Sequence, residues 1–113
     1  MKTRAVRRTA TYEHEAGRLR RLAEDKGASF SYRKHALEEM AKDDIVRIDV
    51  ENMLRRCKVT LVEETKGETT WRAEGKDTEG RSLTAVVVAY EDLIKVKIVT
   101  AWAKPVSVKR RRP

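Results

Sequence analysis

Cysteine is all but missing from this chain. Cys57 stands alone among 113 residues, so no internal disulfide can form. Histidine is nearly as scarce, with only His14 and His35, and no pair of potential ligands has CxxC or HxxxH spacing. No metal and no cofactor are therefore expected. No apolar run approaches the ~20 residues needed to cross a bilayer as a helix. The basic start MKTRAVRRTATYEHEAG has no apolar stretch behind it, so a secretory leader is not expected and the chain reads as cytoplasmic. Aromatic residues make up only 5%, which leaves Val, Leu, Ile, Ala and Met to build the core. Phosphate-binding Gly loops, dinucleotide fingerprints and GxSxG elbows are all lacking. If the chain is a catalyst, metal-free acid–base or electrostatic chemistry is what remains.

Charge is present in excess, and its placement matters. The net charge is +8. Residues 1–11 carry Lys2, Arg4, Arg7 and Arg8 without an acid, and residues 104–113 carry Lys104, Lys109, Arg110, Arg111 and Arg112, again without one. That leaves seventeen of the 26 Lys and Arg in the body against all 18 Asp and Glu. The basicity belongs to two arms. Such arms suit sequence-independent contact with nucleic-acid phosphates through counterion release; the plain alternative is solvated ends. One domain is expected over residues 12–103, between a basic N-terminal arm (1–11) and a basic C-terminal tail (104–113).

Periodicity predicts an α+β fold. Leu83 to Trp102 holds two runs of β-branched residues around Glu91-Asp92 and reads as a β-hairpin. Upstream, Tyr12 to Lys26 is expected to be helical, with Gly27 ending it. Ala28-Ser29-Phe30 reads as a short edge strand. Ser31 is placed to cap a second helix from Tyr32 to Lys42, and a third spans about Arg47 to Arg56, burying Ile48 or Val50 with Met53 and Leu54. Strands follow at Val59–Glu63, Thr69–Lys76, Leu83–Tyr90 and Ile94–Trp102. Two to three helices should pack on one face of a four-stranded antiparallel meander.

Turn chemistry predicts the register. Two loops of the pattern acid-Thr-x-Gly, ending at Gly67 and Gly80, suit three-residue hairpins with a left-handed glycine. Gly75 then faces Leu83, Ala73 faces Ala85 and Trp71 faces Val87, while Leu61 faces Trp71 and Val59 faces Ala73. A two-residue turn at Glu91-Asp92 pairs Val87 with Val96 and Ala85 with Ile98. On the opposite, open face, Arg72, Val86 and Lys97 form one row, and Glu74, Thr84 and Val99 the next.

That face holds the first candidate site. Arg72 and Lys97, flanking Val86, are suited to hold a phosphodiester and stabilise its transition state, with Glu74 as a base; the alternative is an ordinary solvated sheet face. His35, with Glu38 and Glu39 on the same helix surface, is the second candidate, as an oriented acid or base, against the reading of an exposed surface histidine. Tyr90 and Trp102 are candidates for base stacking, or for packing at hairpin ends.

The helix HALEEM (His35–Met40), preceded by FS and followed by DDI, resembles a bacterial domain-of-unknown-function family with a His-Ala-x-x-Arg-Met helix and an Arg-Gly-Ile step. WRAEG (Trp71–Gly75), DTEGR, LTAVVV and IVTA are similar to that family's meander, so the resemblance runs from about Phe30 to Trp102. The family is similar to the RelE and BrnT toxins of the barnase/colicin/RelE ribonuclease superfamily. The resemblance implies metal-independent RNA cleavage, an acidic antitoxin-like partner, His35 as the family's histidine and Arg72 as its strand arginine. Glu39 and Asp43 stand where the family has arginines, which opposes binding of a polyanion. The sequence thus predicts a RelE/BrnT-like protein acting on RNA, with His35, Arg72, Glu74 and Lys97 as catalytic residues. The competing prediction is a non-catalytic nucleic-acid or ribonucleoprotein-binding module that uses its arms.

Overall fold

The computed structural model describes residues 12–105. Three helices, α1 (Glu13–Glu24), α2 (Lys34–Lys42) and α3 (Arg47–Leu54), and five strands, β1 (Ser29–Tyr32), β2 (Lys58–Thr65), β3 (Glu68–Lys76), β4 (Ser82–Tyr90) and β5 (Lys95–Ala103), make an α+β fold. The sheet order is β1-β5-β4-β3-β2. β2 to β5 form the expected antiparallel meander. The sheet is nevertheless five-stranded and mixed, because β1 lies parallel to β5, with Phe30 beside Val96 and Tyr32 beside Ile98.

The extra strand displaces the second helix. Ser31 does not cap anything: it lies in β1 opposite Lys97, and α2 begins two residues later than predicted, after Arg33. α1 is shorter than expected too. Asp25 ends it by turning the chain, its carboxylate accepting from the Gly27 N–H at 2.8 Å and its carbonyl from the Ala28 N–H at 3.0 Å. α2 ends as many helices do: the Asp44 N–H returns to the Ala41 carbonyl and the Ile45 N–H to the Met40 carbonyl. Asp44 takes φ 59 there, a left-handed conformation that usually falls to glycine. In α3 the core position is Val50, fully buried, while Ile48 is 53% exposed.

All three helices cover one face of the sheet. Leu19, Met40, Val50, Met53 and Leu54 meet Ala73, Leu83, Val87, Val96 and Ile98 in a single core. A fully buried side chain of this size contributes roughly 1.5–3 kcal/mol. Gly75 lets α3 lie close to β3, since a Cβ there would sit 2.9 Å from Met53 Cγ. Arg20 donates to the Cys57 carbonyl at 2.8 Å and Arg55 to that of Ala23 at 3.3 Å, tying α1 to its neighbours.

The β3–β4 register is the predicted one, Trp71 with Val87 and Gly75 with Leu83. The other two hairpins differ. β2 and β3 turn through only two residues, Lys66 and Gly67, both at positive φ, so Arg72 and not Trp71 faces Leu61. An irregularity between Val59 and Leu61 then restores Val59 to Ala73. β4 and β5 are joined by a 3₁₀ turn, Glu91–Leu93, and Ile94 at φ 49, longer than the predicted turn. Val87 consequently pairs with Ile98, Ala89 with Val96, and Ala85 with Ala101, past an irregularity that holds Val99.

Candidate functional site

Side chains alternate across a strand, so the face away from the helices is read directly from the register. β3 contributes Glu68, Thr70, Arg72 and Glu74; β4 contributes Thr84, Val86, Val88 and Tyr90; β5 contributes Lys95, Lys97, Thr100 and Trp102. An apolar centre of Val86 and Val88 is bordered by cations. Val88 is buried even on this side.

Arg72 occupies the middle of the face, with Leu61 opposite it on β2 and Val86 on β4. Its Nε is buried and has no hydrogen-bond acceptor, and it forms no ion pair among the described residues. A cation partly withdrawn from water and unmatched by a carboxylate attracts an incoming anion more strongly than a solvated one does.

Lys97 is not in Arg72's row. The longer β4–β5 turn puts Thr100 opposite Val86 and moves Lys97 opposite Val88. There its Nζ reaches over β4 to donate to Glu68 Oε2 at 2.9 Å, and the Tyr90 hydroxyl donates to the same oxygen at 3.2 Å. Lys95 Nζ and Lys97 Nζ lie 5.7 and 5.9 Å from the centre of the Tyr90 ring. The Lys97 hydrogen bond, with Tyr90's, holds the Glu68 carboxyl below the usual carboxylate range, and the same bond raises Lys97 above the usual lysine value. An open cleft of ≈ 650 Å³ beside them is lined by Arg33, Lys66, Glu68, Thr70 and Val99, among others.

The four predicted catalytic residues are only partly brought together. Arg72, Glu74 and Lys97 share the open face, but Glu74 is engaged by the Thr60 hydroxyl at 2.9 Å and Lys97 by Glu68. His35 is exposed on α2, whose Ala36 and Met40 enter the core on the other side of the sheet. No hydrogen bond links it to the other three among the described residues. Glu39 pairs with Lys42 at 3.2 Å. Asp43 is a structural bracket: its carboxylate accepts from the Ala103 N–H at 2.9 Å and its carbonyl from Arg81 at 2.9 Å. Arg81 also binds Asp77 at 2.8 Å and Asp49 at 3.5 Å. Lys2, Arg4, Arg7, Arg8, Lys109, Arg110, Arg111 and Arg112 lie outside the described residues.

Sequence reasoning missed Glu68, Lys95 and Arg33. Glu68 shares the parity of Arg72 and Glu74 along β3, a signal legible once the strand is extended one residue back from Thr69. Tyr90 is neither a bare stacking surface nor simple hairpin packing, because two ammonium groups lie over its ring.

Among the described residues no three His, Cys, Asp or Glu are grouped as metal ligands, and no helix is long and apolar enough to cross a membrane. Neither the curated proteins nor the solved structures hold a match to this chain. A family model does match, over residues 32–103, from the last residue of β1 to the last of β5. It takes in α2, α3 and the whole meander and leaves α1 outside. The chain belongs to that family, which is described as a domain of unknown function, DUF4258.

Proposed function

We propose that this domain binds single-stranded RNA across the open face of its sheet, and that binding rather than cleavage is its principal act. The observation that carries this reading is Arg72, a half-buried guanidinium whose Nε lacks an acceptor among the described residues, set between Val86 and Leu61 on the helix-free face that also carries Trp102. Single-stranded nucleic acid is recognised by such a combination of fixed cations, apolar surface and an aromatic ring. The acid-free arms at 1–11 and 104–113 add phosphate contacts without sequence preference. Fluorescence anisotropy with a short labelled oligouridylate tests this. Arg72→Met should weaken binding about tenfold or more while leaving the circular dichroism spectrum unchanged; equal affinity of the two proteins would sink the reading.

A second reading is metal-independent cleavage by a RelE- or BrnT-like toxin, with an acidic antitoxin-like protein as partner. The Lys97–Glu68–Tyr90 group supports it, since an ammonium, a carboxylate and a phenol joined on one face can move protons. The separation of His35 from Arg72 and Lys97 counts against the predicted catalytic set. Cleavage of RNA in the presence of a chelator, lost in Glu68→Gln with binding retained, would establish this second reading over the first.

A further inference from the structure

At the end of the sheet remote from the Glu68 group, three side chains stand in a row across β3, β4 and the exit of β5. Lys76 pairs with Ser82, and the Lys104 N–H donates to the Ser82 carbonyl at 2.9 Å. Neighbouring strands lie ~4.8 Å apart, which puts the two lysine backbones about 10 Å from each other with the serine between them. All three line two adjoining shallow clefts of ≈ 190 and ≈ 290 Å³. Lys58 lines the first of these as well.

None of these lysines forms an ion pair among the described residues. The sequence outside 12–105 contains no Asp or Glu side chain that could supply one. Of the acids lining the clefts, Glu74 is held by Thr60, and Glu79 lies on the β3–β4 turn. Like charges gathered at one end of the sheet are unfavourable by themselves and favour an anion between them. Trp102, half-buried, pairs with Thr84 in the next row inward, ~6.8 Å along the strands. Pro105, beside the second cleft, leads into the tail that carries Lys109 to Arg112.

We infer that the Lys76–Ser82–Lys104 row is a phosphate seat for the RNA strand, with the adjacent base stacked on Trp102. A hydroxyl donor between two lysines matches phosphate oxygens, and lysine serves phosphate as a point charge. The strand then continues from the seat toward Arg72. This rests on the RNA reading above and adds a location and a polarity of contacts to it.

The test measures oligouridylate affinity between ~50 and ~200 mM salt for the full chain and for Lys76→Ala/Lys104→Ala. Loss of two phosphate contacts should flatten the log–log salt slope by about 1.4. Trp102→Ala should cost about tenfold in affinity with the slope unchanged. An unaltered slope in the double variant, in a protein that does bind RNA, overturns the seat and leaves the RNA reading standing. A second arm titrates sodium tripolyphosphate and follows the Ser82 and Lys104 amide resonances. If these shift while RNA is not bound, the seat stands and the RNA reading falls; if neither RNA nor tripolyphosphate binds, both fall.

Discussion

Glu68 on β3 and Lys97 on β5 meet at 2.9 Å across the strand that separates them. Tyr90, on that intervening strand, donates to the same carboxylate oxygen. Three strands are thereby joined by side chains above the backbone ladder. Glu68 titrates below its usual range in the folded protein, so its contribution is full above the unfolded carboxylate value and is lost as pH falls through the folded one. Lys97 titrates above its usual range, so its share is full below the unfolded lysine value and is lost as pH rises through the folded one. Glu68→Gln should lower the melting temperature at neutral pH and shrink the drop between neutral and acid pH. Thermal melts of both proteins across that range check it, and parallel curves would refute it.

Besides Lys66 in its tight turn, two non-glycine residues among those described sit in the left-handed region where glycine is cheapest. Asp44 has φ 59 and Ile94 φ 49. Asp44→Gly should stabilise the fold by about 0.5–1 kcal/mol, because the exposed side chain forms no hydrogen bond among the described residues and the backbone bonds are kept. Ile94→Gly should gain more, about 1–2 kcal/mol, since a β-branched residue is more strained there. Urea midpoints at unchanged m-values report both.

Gly75 predicts the opposite sign. A methyl group at this position meets Met53 Cγ at 2.9 Å and Sδ at 3.4 Å, with the Cys57 backbone at 3.6 Å behind. Gly75→Ala should destabilise by about 1–3 kcal/mol, moderated by the pliancy of methionine. A midpoint equal to that of the parent protein would show that α3 can simply retreat.

Cys57 is fully buried, and burial pushes its thiol up to about 11, with Arg20 offsetting part of the rise. At neutral pH it should therefore react with a thiol reagent only through global opening, at a rate that climbs with denaturant as unfolding does. Rapid labelling in native buffer would contradict this.

How much of this was legible follows from which signals are local. The alternation in β4 and β5 and the Gly80 turn placed Trp71, Ala73 and Ala85 on the core face in the register observed. The Lys66-Gly67 turn and the Val99 irregularity left no comparable mark, because lysine and valine do not announce positive φ or a bulge. As far as Ile98 the shift in β5 is two residues, which keeps each side chain on its face and changes its neighbours; past the Val99 irregularity it is three, so the faces exchange, Ala101 entering the core and Thr100 and Trp102 the open face. That is why Arg72 was found on the correct face while Lys97 was assigned the wrong partners. The edge strand expected at Ala28-Ser29-Phe30 is present as β1, but its parallel pairing and its extension to Tyr32 are not legible in so short a pattern, because they are decided by the free edge of β5. The position of His35 relative to Arg72 is not legible in HALEEM, because a polar helix face reads the same whatever lies opposite it.

The β1–β5 pairing also dictates an order of assembly. Phe30 and Val96 are partners 66 positions apart in the chain, whereas each hairpin of the meander closes locally. Joining such distant segments carries the larger loss of chain freedom. During synthesis from the N-terminus, β1 must wait, unpaired, until β5 has left the ribosome, whereas α1 can already meet Cys57 and Arg55. β1 is made before every strand of the meander and is the last of the five to find its partner.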